Sequence, residues 1–332
     1  MIINKAILNV LDFNSDVYVF SETEMDVSNV SIHEFLEKHI EKSLSNSGRK
    51  QGQFLEESEF KKELMEYIEG EKDFITLSQG IASHMYDYIA NSELPVSTDI
   101  LVSDITLDND KYLCILIFEN KTAFTHTVVS DENGVRGEII KHYSILPNSS
   151  QKVDEYAIIN LGDFTVNFVD KKRKIEGKDT HVLPDLLLQC TSSISTKEAV
   201  KMVKKLVTKV TDEFGGDTTK AITQVKSYMA ENLEESETLS PLDLGRDLFS
   251  SSGPMLQEFE NKVKELGIPE NIKVDKEYVQ RSVRSHKIKT DTGIEITFPA
   301  DYYNNSEYIE FLNNVDGTIS IQLKNIGKII NR

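Results

Sequence analysis

The fold is decided by residues 99–118, which read DILVSDITLDNDKYLCILIF. Two runs rich in Ile, Leu and Val, Asp99–Leu107 and Lys111–Phe118, flank the turn-forming triplet Asp108-Asn109-Asp110. A third run, Thr122–Val129, follows after another polar turn. Because these strands succeed one another without intervening helices, the segment predicts an antiparallel sheet.

Upstream of this sheet the pattern predicts a β-hairpin and then helices. Residues 2–10 and 17–20 are apolar runs separated by Asp, Asn and Ser, which favour a turn. Apolar residues recur at helical spacing over 31–44, where Ser31 and Glu34 fit a capping box. Residues 45–53 read as a polar loop, and two further helices are predicted over about 56–70 and 72–91.

Downstream, one more hairpin precedes a helical region and a β-rich end. The hairpin is predicted over 156–161 and 164–169. The later helices are predicted over 196–214, 218–232, 241–249, 255–266 and 275–284, and the later strands over 286–290, 294–298, 308–312 and 318–323. The sequence therefore predicts an α+β protein with mixed antiparallel sheet and helices. Its expected domains are an acidic α+β domain over 1–190 and a helical region with a small β domain over 191–332; a boundary within 232–240 is the alternative.

Composition and charge restrict the classes of protein to which the chain can belong. Its 332 residues are 39% hydrophobic and 28% charged, which is typical of globular proteins. Both cysteines, Cys114 and Cys190, lie in apolar runs and are expected to be buried free thiols of a cytoplasmic protein. Met1–Val10 predicts a strand and not a signal peptide, and no apolar run predicts a membrane span. The net charge of −18 argues against a general electrostatic coating of DNA.

Motifs for catalysis, metal binding or phosphate loops are lacking in the sequence. The seven histidines include no His-Glu-x-x-His pair, and no Cys/His cluster has metal-ligand spacing. Gly215-Gly216 precedes a helix, but the P-loop spacing is missing and a helix precedes it where a P-loop needs a strand. The sequence therefore predicts no enzyme and no cofactor, and an unrecognised hydrolase is the weakest of the hypotheses.

Basic residues form islands within the acidic chain, and these are the candidate nucleic-acid contacts. Lys171, Lys172, Arg173 and Lys174 are adjacent after a predicted strand, and four cations on a turn suit a phosphate backbone. The predicted helix 196–214 carries lysines at spacings of three and four opposite its valines: Lys197, Lys201, Lys204, Lys205 and Lys209. Either island is equally well explained as solvated surface.

A third island lies near the carboxyl end. Arg281 and Arg284, one helical turn apart, lead into a strand with Lys287 and Lys289. Arginine suits phosphate forks and base edges. Because no helix-turn-helix, zinc-finger or RNA-binding signature accompanies them, sequence-specific readout is not predicted.

Several stretches together resemble one bacterial family, the 37-kDa nucleoid-associated proteins. The similarity follows the same order along the whole chain and is carried by Ile3–Asp12, Phe20-Ser21, Met25-Asp26, Gln151–Leu161, His286–Pro299 and Ile319–Lys328. The resemblance implies a cytoplasmic protein that associates with the nucleoid and binds DNA, without catalytic residues.

Two modes of association follow from this resemblance and the charge pattern. In the first, the basic islands bind duplex DNA directly, weakly and without strong sequence preference. In the second, the protein is an acidic adaptor whose residues of about 56–73 contact a DNA-bound partner, such as another nucleoid protein or a topoisomerase. The sequence does not fix the oligomeric state, and a homodimer remains a hypothesis.

Overall fold

The computed structural model describes residues 1–132, 134–235, 238–273, 285–299, 302, 305–315 and 317–328. The chain divides into two compact units, Met1–Ser195 (unit 1) and Thr196–Arg332 (unit 2). Both units contain helices and antiparallel strands, which confirms the predicted α+β class. None of the helices in these ranges is long and apolar enough to cross a membrane.

Unit 1 is built on an antiparallel sheet flanked by helices. Its helices are α1 (Val30–Leu44), α2 (Glu59–Glu69) and α3 (Phe74–Ala90), followed by a π-helical turn at Val182–Leu187. Its strands are β1 (Ile2–Asp12), β2 (Val17–Val19), β3 (Lys50–Gln53), β4 (Thr98–Leu107), β5 (Asp110–Glu119), β6 (Lys121–Asp131), β7 (Gly134–Ile145), β8 (Glu155–Asn160), β9 (Thr165–Val169), β10 (Lys172–Ile175) and β11 (Lys178–His181). Seven of them form one sheet in the order β2-β1-β4-β5-β8-β9-β3.

The central strands β4 and β5 contain the two apolar runs of residues 99–118, and they are buried on both faces. Alternate residues of a strand point to opposite sides. Ile100 and Ile115 therefore join the apolar cluster with α2, α3 and the π-helical turn, whereas Leu101 and Leu116 join the cluster with α1. Cys114 and Cys190 are both buried free thiols, as predicted.

Helix α1 begins earlier than the sequence predicted. Asn29, and not Ser31, is its N-cap: the Asn29 side chain accepts hydrogen bonds from the backbone N–H groups of Ser31 and Ile32. The capping box with Glu34 is therefore wrong. Asparagine is an equally good N-cap, and at its position two residues earlier it satisfies free N–H groups of the first turn of the observed helix.

Four strands of unit 1 were missed by the sequence reading. Residues 50–53, predicted as loop, form the edge strand β3, and β10 pairs with β11 in a separate hairpin. Strand β7 pairs with β6 over residues 121–145 in a two-stranded ribbon (the β6–β7 ribbon) outside the main sheet. Lys50–Gln53 is polar throughout, so no apolar alternation marked it as a strand.

Residues 191–193, which the predicted division assigned to the second domain, lie in unit 1. Thr191 N–H donates to Gln53 O and Ser193 N–H to Gln51 O, both at 2.9 Å. These bonds extend the edge of the sheet next to β3. The change from sheet to helical core follows at Ser195.

Unit 2 consists of a helical core followed by hairpins. Its helices are α4 (Thr196–Glu213), α5 (Thr218–Glu235), α6 (Pro241–Leu248) and α7 (Gly253–Glu265). Its strand pairs are β12 (Thr238–Leu239) with β13 (Ile272–Lys273), β14 (Ser285–Lys289) with β15 (Glu295–Pro299), and β16 (Ile309–Asn313) with β17 (Ile319–Leu323). The helix predicted over 275–284 lies outside the described residues.

Candidate nucleic-acid interface

Helix α4 presents a row of five lysines on the side away from its core. Its buried face recurs at helical spacing and includes Val200, Val203, Val207 and Val210. This apolar stripe anchors the helix in unit 2. Four lysines on the other side of the helix are exposed, and Lys204 at the border with the stripe is half-buried. Together they form the α4 lysine row, which comprises Lys197, Lys201, Lys204, Lys205 and Lys209.

The α4 lysine row has almost no internal counter-charge. Lys209 Nζ lies 3.8 Å from Glu213 Oε1, and both side chains are well exposed. Within the described ranges, no carboxylate lies within ion-pair distance of the other four lysines of the row. An exposed pair at that distance contributes little binding energy, so the row is an uncompensated strip of positive charge.

One member of the row, Lys204, is disfavoured as a cation by its surroundings. Burial lowers the pKa of Lys204 below its ordinary value. On α5, which packs against α4, burial and then the charge of Lys204 lower the pKa of Lys226 to about 8. An anion bound nearby would stabilise both ammonium groups, because an opposite charge favours their protonated forms.

A cavity of about 550 Å³ follows the same face of α4. It is lined by the five lysines of the row with Val200, Thr208 and Asp212. Lysine stems supply its apolar wall, and their ammonium groups supply the positive charge. The arrangement therefore suits an extended polyanion that follows the helix.

The second island, Lys171–Lys174 (the β10 cluster), differs from its prediction as a turn. The tip of its hairpin is Glu176-Gly177, where both residues have positive φ, and Lys172–Ile175 is strand β10. Because side chains alternate along a strand, the four cations do not converge as they would on a turn.

The side chain of Arg173 is largely buried in unit 1, where it pairs with a carboxylate. Its two terminal guanidinium nitrogens donate to the two carboxylate oxygens of Glu155, each at 2.5 Å. The side chains of Arg173 and Glu155 are only 11% and 1% exposed. Burial raises the pKa of Glu155 and the guanidinium acts in the opposite direction. Such a bidentate pair leaves Arg173 no geometry for a phosphate.

The remaining cations of the β10 cluster are mostly paired as well. Lys171 Nζ lies 2.9 Å from Glu119 and 3.7 Å from Asp154, and Lys172 Nζ lies 4.0 Å from Asp179. Lys174 is exposed and has no carboxylate partner in the described part of the chain.

The carboxyl-terminal island is paired where the structure describes it. Lys287 Nζ and Lys289 Nζ lie 2.6 Å and 3.7 Å from the carboxylate of Glu295 across the β14–β15 hairpin. Arg281 and Arg284 lie outside the described residues. Of the three predicted islands, the structure thus leaves the α4 lysine row the least neutralised.

Groups suited to catalysis or metal binding do not come together in the described ranges. No three His, Cys, Asp or Glu side chains there are placed to hold a metal ion. His181 Nδ1 lies 2.6 Å from Asp170 Oδ2, but Asp170 also accepts the Leu183 N–H at 3.0 Å. This pair holds the π-helical turn against β11, which is a structural role.

Lys226 was missed by the sequence reading. Helix α5 carries two lysines, Lys220 and Lys226, whose separation of six residues is not the spacing of one helix face. Only the packing of α5 on α4 brings Lys226 near Lys204.

A comparison with protein families matched residues 7–330 to the family NA37, described as nucleoid-associated protein YejK. A comparison with curated proteins found no match.

Proposed function

Because the chain belongs to the NA37 family of nucleoid-associated proteins, we propose that it binds duplex DNA directly through the α4 lysine row. Binding is weak and without strong sequence preference, since lysine ammonium groups act as point charges toward phosphates. The protein is expected to act in the cytoplasm at the nucleoid, without catalysis and without a membrane partner.

One observation carries this proposal: among the described residues only Lys209 of the row faces a carboxylate, whereas the other described islands are largely neutralised by carboxylates. Lys197 to Lys209 extends over about 18 Å at a rise of about 1.5 Å per residue. Phosphates of one DNA strand recur about every 3.4 Å along the duplex axis, so the row spans about five of them. Lys174 is a further exposed cation, and Arg281 and Arg284 remain predicted contacts.

The net charge of −18 explains why a single site is expected to be weak. Repulsion between the acidic surface and DNA opposes the local attraction of the row, and salt screens both. We also propose a homodimer, because two weak sites on one particle raise the apparent affinity without any new contact.

Fluorescence anisotropy of a labelled duplex, titrated with protein from about 50 to 200 mM salt, tests direct binding. The double variant Lys201→Gln/Lys205→Gln should lower the slope of log affinity against log salt by about two, since each lost phosphate contact removes about 0.9. The matched control, Lys172→Gln/Lys287→Gln, removes two ion-paired exposed lysines and should leave the slope unchanged.

Equal losses in both double variants would show that only net charge matters, and would contradict the assignment to α4. No binding by the wild-type protein at the lowest salt would refute direct binding altogether.

The alternative function, an acidic adaptor, has support of its own on α2 and its flanks. Glu56, Glu57, Glu69 and Glu71 are exposed, and the apolar Met65 and Ile68 are exposed beside them. Such a mixed acidic and apolar surface suits a basic protein partner. If the adaptor reading holds, Glu69→Lys/Glu71→Lys should abolish co-purification of a DNA-bound partner and leave duplex binding by the isolated protein unchanged.

A further inference from the structure

The β6–β7 ribbon carries an unusually exposed apolar face. Along the ribbon, Phe124 and Val128 of β6 and Val135 and Ile139 of β7 share one side, as their register requires. Their exposed fractions are 71%, 68%, 73% and 80%. Soluble proteins rarely leave a contiguous row of large apolar side chains in water unless another surface covers it.

The ribbon also lacks the support that would make it stable alone. It is a two-stranded antiparallel pair, and isolated hairpins are marginal in water. At its base, Ser144 Oγ donates to Asp12 Oδ2 at 2.7 Å, and Ser97 Oγ donates to Asp12 Oδ1 at 2.8 Å. Burial opposes ionisation of Asp12, but these donors dominate and lower its pKa to about 2, so the anchor stays charged. These hydrogen bonds fix the base of the ribbon, whereas the apolar side chains beyond the base stay exposed.

Gly137 gives an independent indication that another surface approaches this face. It lies opposite Val128 within β7, yet a side chain at this position would meet nothing within 4 Å, and its φ is not positive. Neither backbone conformation nor packing against the described residues therefore requires glycine here. A glycine inside a strand weakens it and often marks a close approach by another backbone.

The balanced charge of the ribbon favours a second copy of this chain as the surface that covers its apolar face. Residues 121–145 contain three basic side chains (Lys121, Arg136 and Lys141) and three acidic ones (Asp131, Glu132 and Glu138), so the ribbon is neutral within a chain of net charge −18. Two copies of this acidic protein repel each other over most of their surfaces. Contact through the neutral ribbon avoids this electrostatic repulsion. Balanced charge with an apolar face is also unsuited to DNA, which needs excess positive charge.

We propose that a second copy of this chain covers the apolar face of the β6–β7 ribbon in a two-fold symmetric dimer. Val128 of each copy lies over the surface left open by Gly137 of the other, so the same patch serves both subunits. Ten residues of a strand extend over only about 34 Å. The contact is therefore at the small end of stable interfaces, and we expect micromolar dissociation.

Sedimentation velocity of the full chain at about 1 to 100 µM, without DNA, tests this assignment over the concentrations that micromolar dissociation requires. The wild type should shift from the 37.7 kDa monomer to a dimer as concentration rises. Phe124→Glu/Val128→Glu should remain monomeric. Its control, Thr125→Glu/Val129→Glu, places the same charges one residue along on the opposite face and should still dimerise.

A second variant distinguishes loss of the dimer interface from unfolding of the subunit. Gly137→Val adds a strand-favouring side chain into open space, so the thermal midpoint of the isolated subunit should not fall. We expect it to weaken dimerisation at least about tenfold, because the added side chain occupies the place of the partner's Val128. A wild-type protein that stays monomeric at the highest concentration would overturn the proposal. So would a dimer that still forms in both Phe124→Glu/Val128→Glu and Gly137→Val. DNA binding by α4 is measured separately and does not decide this outcome.

Discussion

The β10 cluster and the α4 lysine row carry the same kind of charge in the sequence, but the fold treats them differently. In the β10 cluster, Arg173 is bound by buried Glu155, and Lys171 and Lys172 face carboxylates of neighbouring strands. In the α4 row, only Lys209 has such a neighbour among the described residues. A basic island is therefore a candidate for DNA binding only where the fold brings no carboxylates beside its cations.

The largest effect is expected from removal of the Arg173 side chain. Arg173→Met should lower the free energy of unfolding by about 3–5 kcal/mol, because it leaves the buried carboxylate of Glu155 without a partner. Urea unfolding followed by circular dichroism measures the loss. DNA affinity of the folded protein should not change. Lys172→Met, one residue away and exposed, is the control; equal stability of the two variants would contradict a buried pair.

The next largest effect is expected in the pH dependence of the free energy of unfolding of unit 2. The pKa of Lys226 is about 8 in the folded protein and near its ordinary value of 10.5 in the unfolded chain. Between these values the unfolded chain binds more protons, so stability should rise with pH from about 8 to 10.5, by on the order of 1 kcal/mol after allowance for partial exposure. Urea midpoints at pH 7.5 and 10 measure it.

Lys226→Met should lack this part of the pH dependence. If the wild type and the variant show the same change in midpoint between the two pH values, Lys226 does not carry the depressed pKa.

A smaller effect is expected at Lys204, where stability and DNA binding should move in opposite directions. Burial disfavours its charge, so Lys204→Met should raise the free energy of unfolding by about 1 kcal/mol. The same change removes a proposed phosphate contact and should reduce duplex affinity several-fold at 50 mM salt. A variant that is more stable and binds DNA as tightly as the wild type would exclude Lys204 from the interface.

The smallest effect is expected from a substitution that frees the two lysines of β14 from their carboxylate partner. Lys287 lowers the pKa of Glu295 below its ordinary value, and Glu295 in turn neutralises Lys287 and Lys289. Glu295→Gln should therefore raise duplex affinity by about twofold through the two released lysines. Glu307→Gln makes the same change in net charge at an exposed position where no ion pair is described, and should have no effect in the same anisotropy titration.

Much of the fold was predictable because it rests on local periodicity. The apolar runs of 99–118 and the helical spacing of 31–44 each determine one element from neighbouring residues alone. Strand β7 was missed because Gly137 and Arg136 interrupt the alternation in a ribbon that buries neither face fully. Such a strand has no buried side to set its pattern.

The candidate site was predictable only in part for a different reason. The lysines of α4 share one helix, so their common face follows from spacing. The pairing of Arg173 with Glu155, and the proximity of Lys226 to Lys204, depend on which strands and helices become neighbours in space. Sequence distance carries no information about such neighbours, and these contacts decide which cations remain free.

The closure of the sheet edge at β3 has a consequence for synthesis of the protein. The Gln51 and Gln53 N–H groups donate to the side chains of Ser193 and Thr191, which lie 142 and 138 residues further along the chain. At about 5–20 residues per second, that partner segment is made roughly 7–28 s after β3. During this interval a nascent chain exposes an unpaired strand edge. Unit 1 therefore cannot complete this edge of its sheet until residue 193 has emerged from the ribosome.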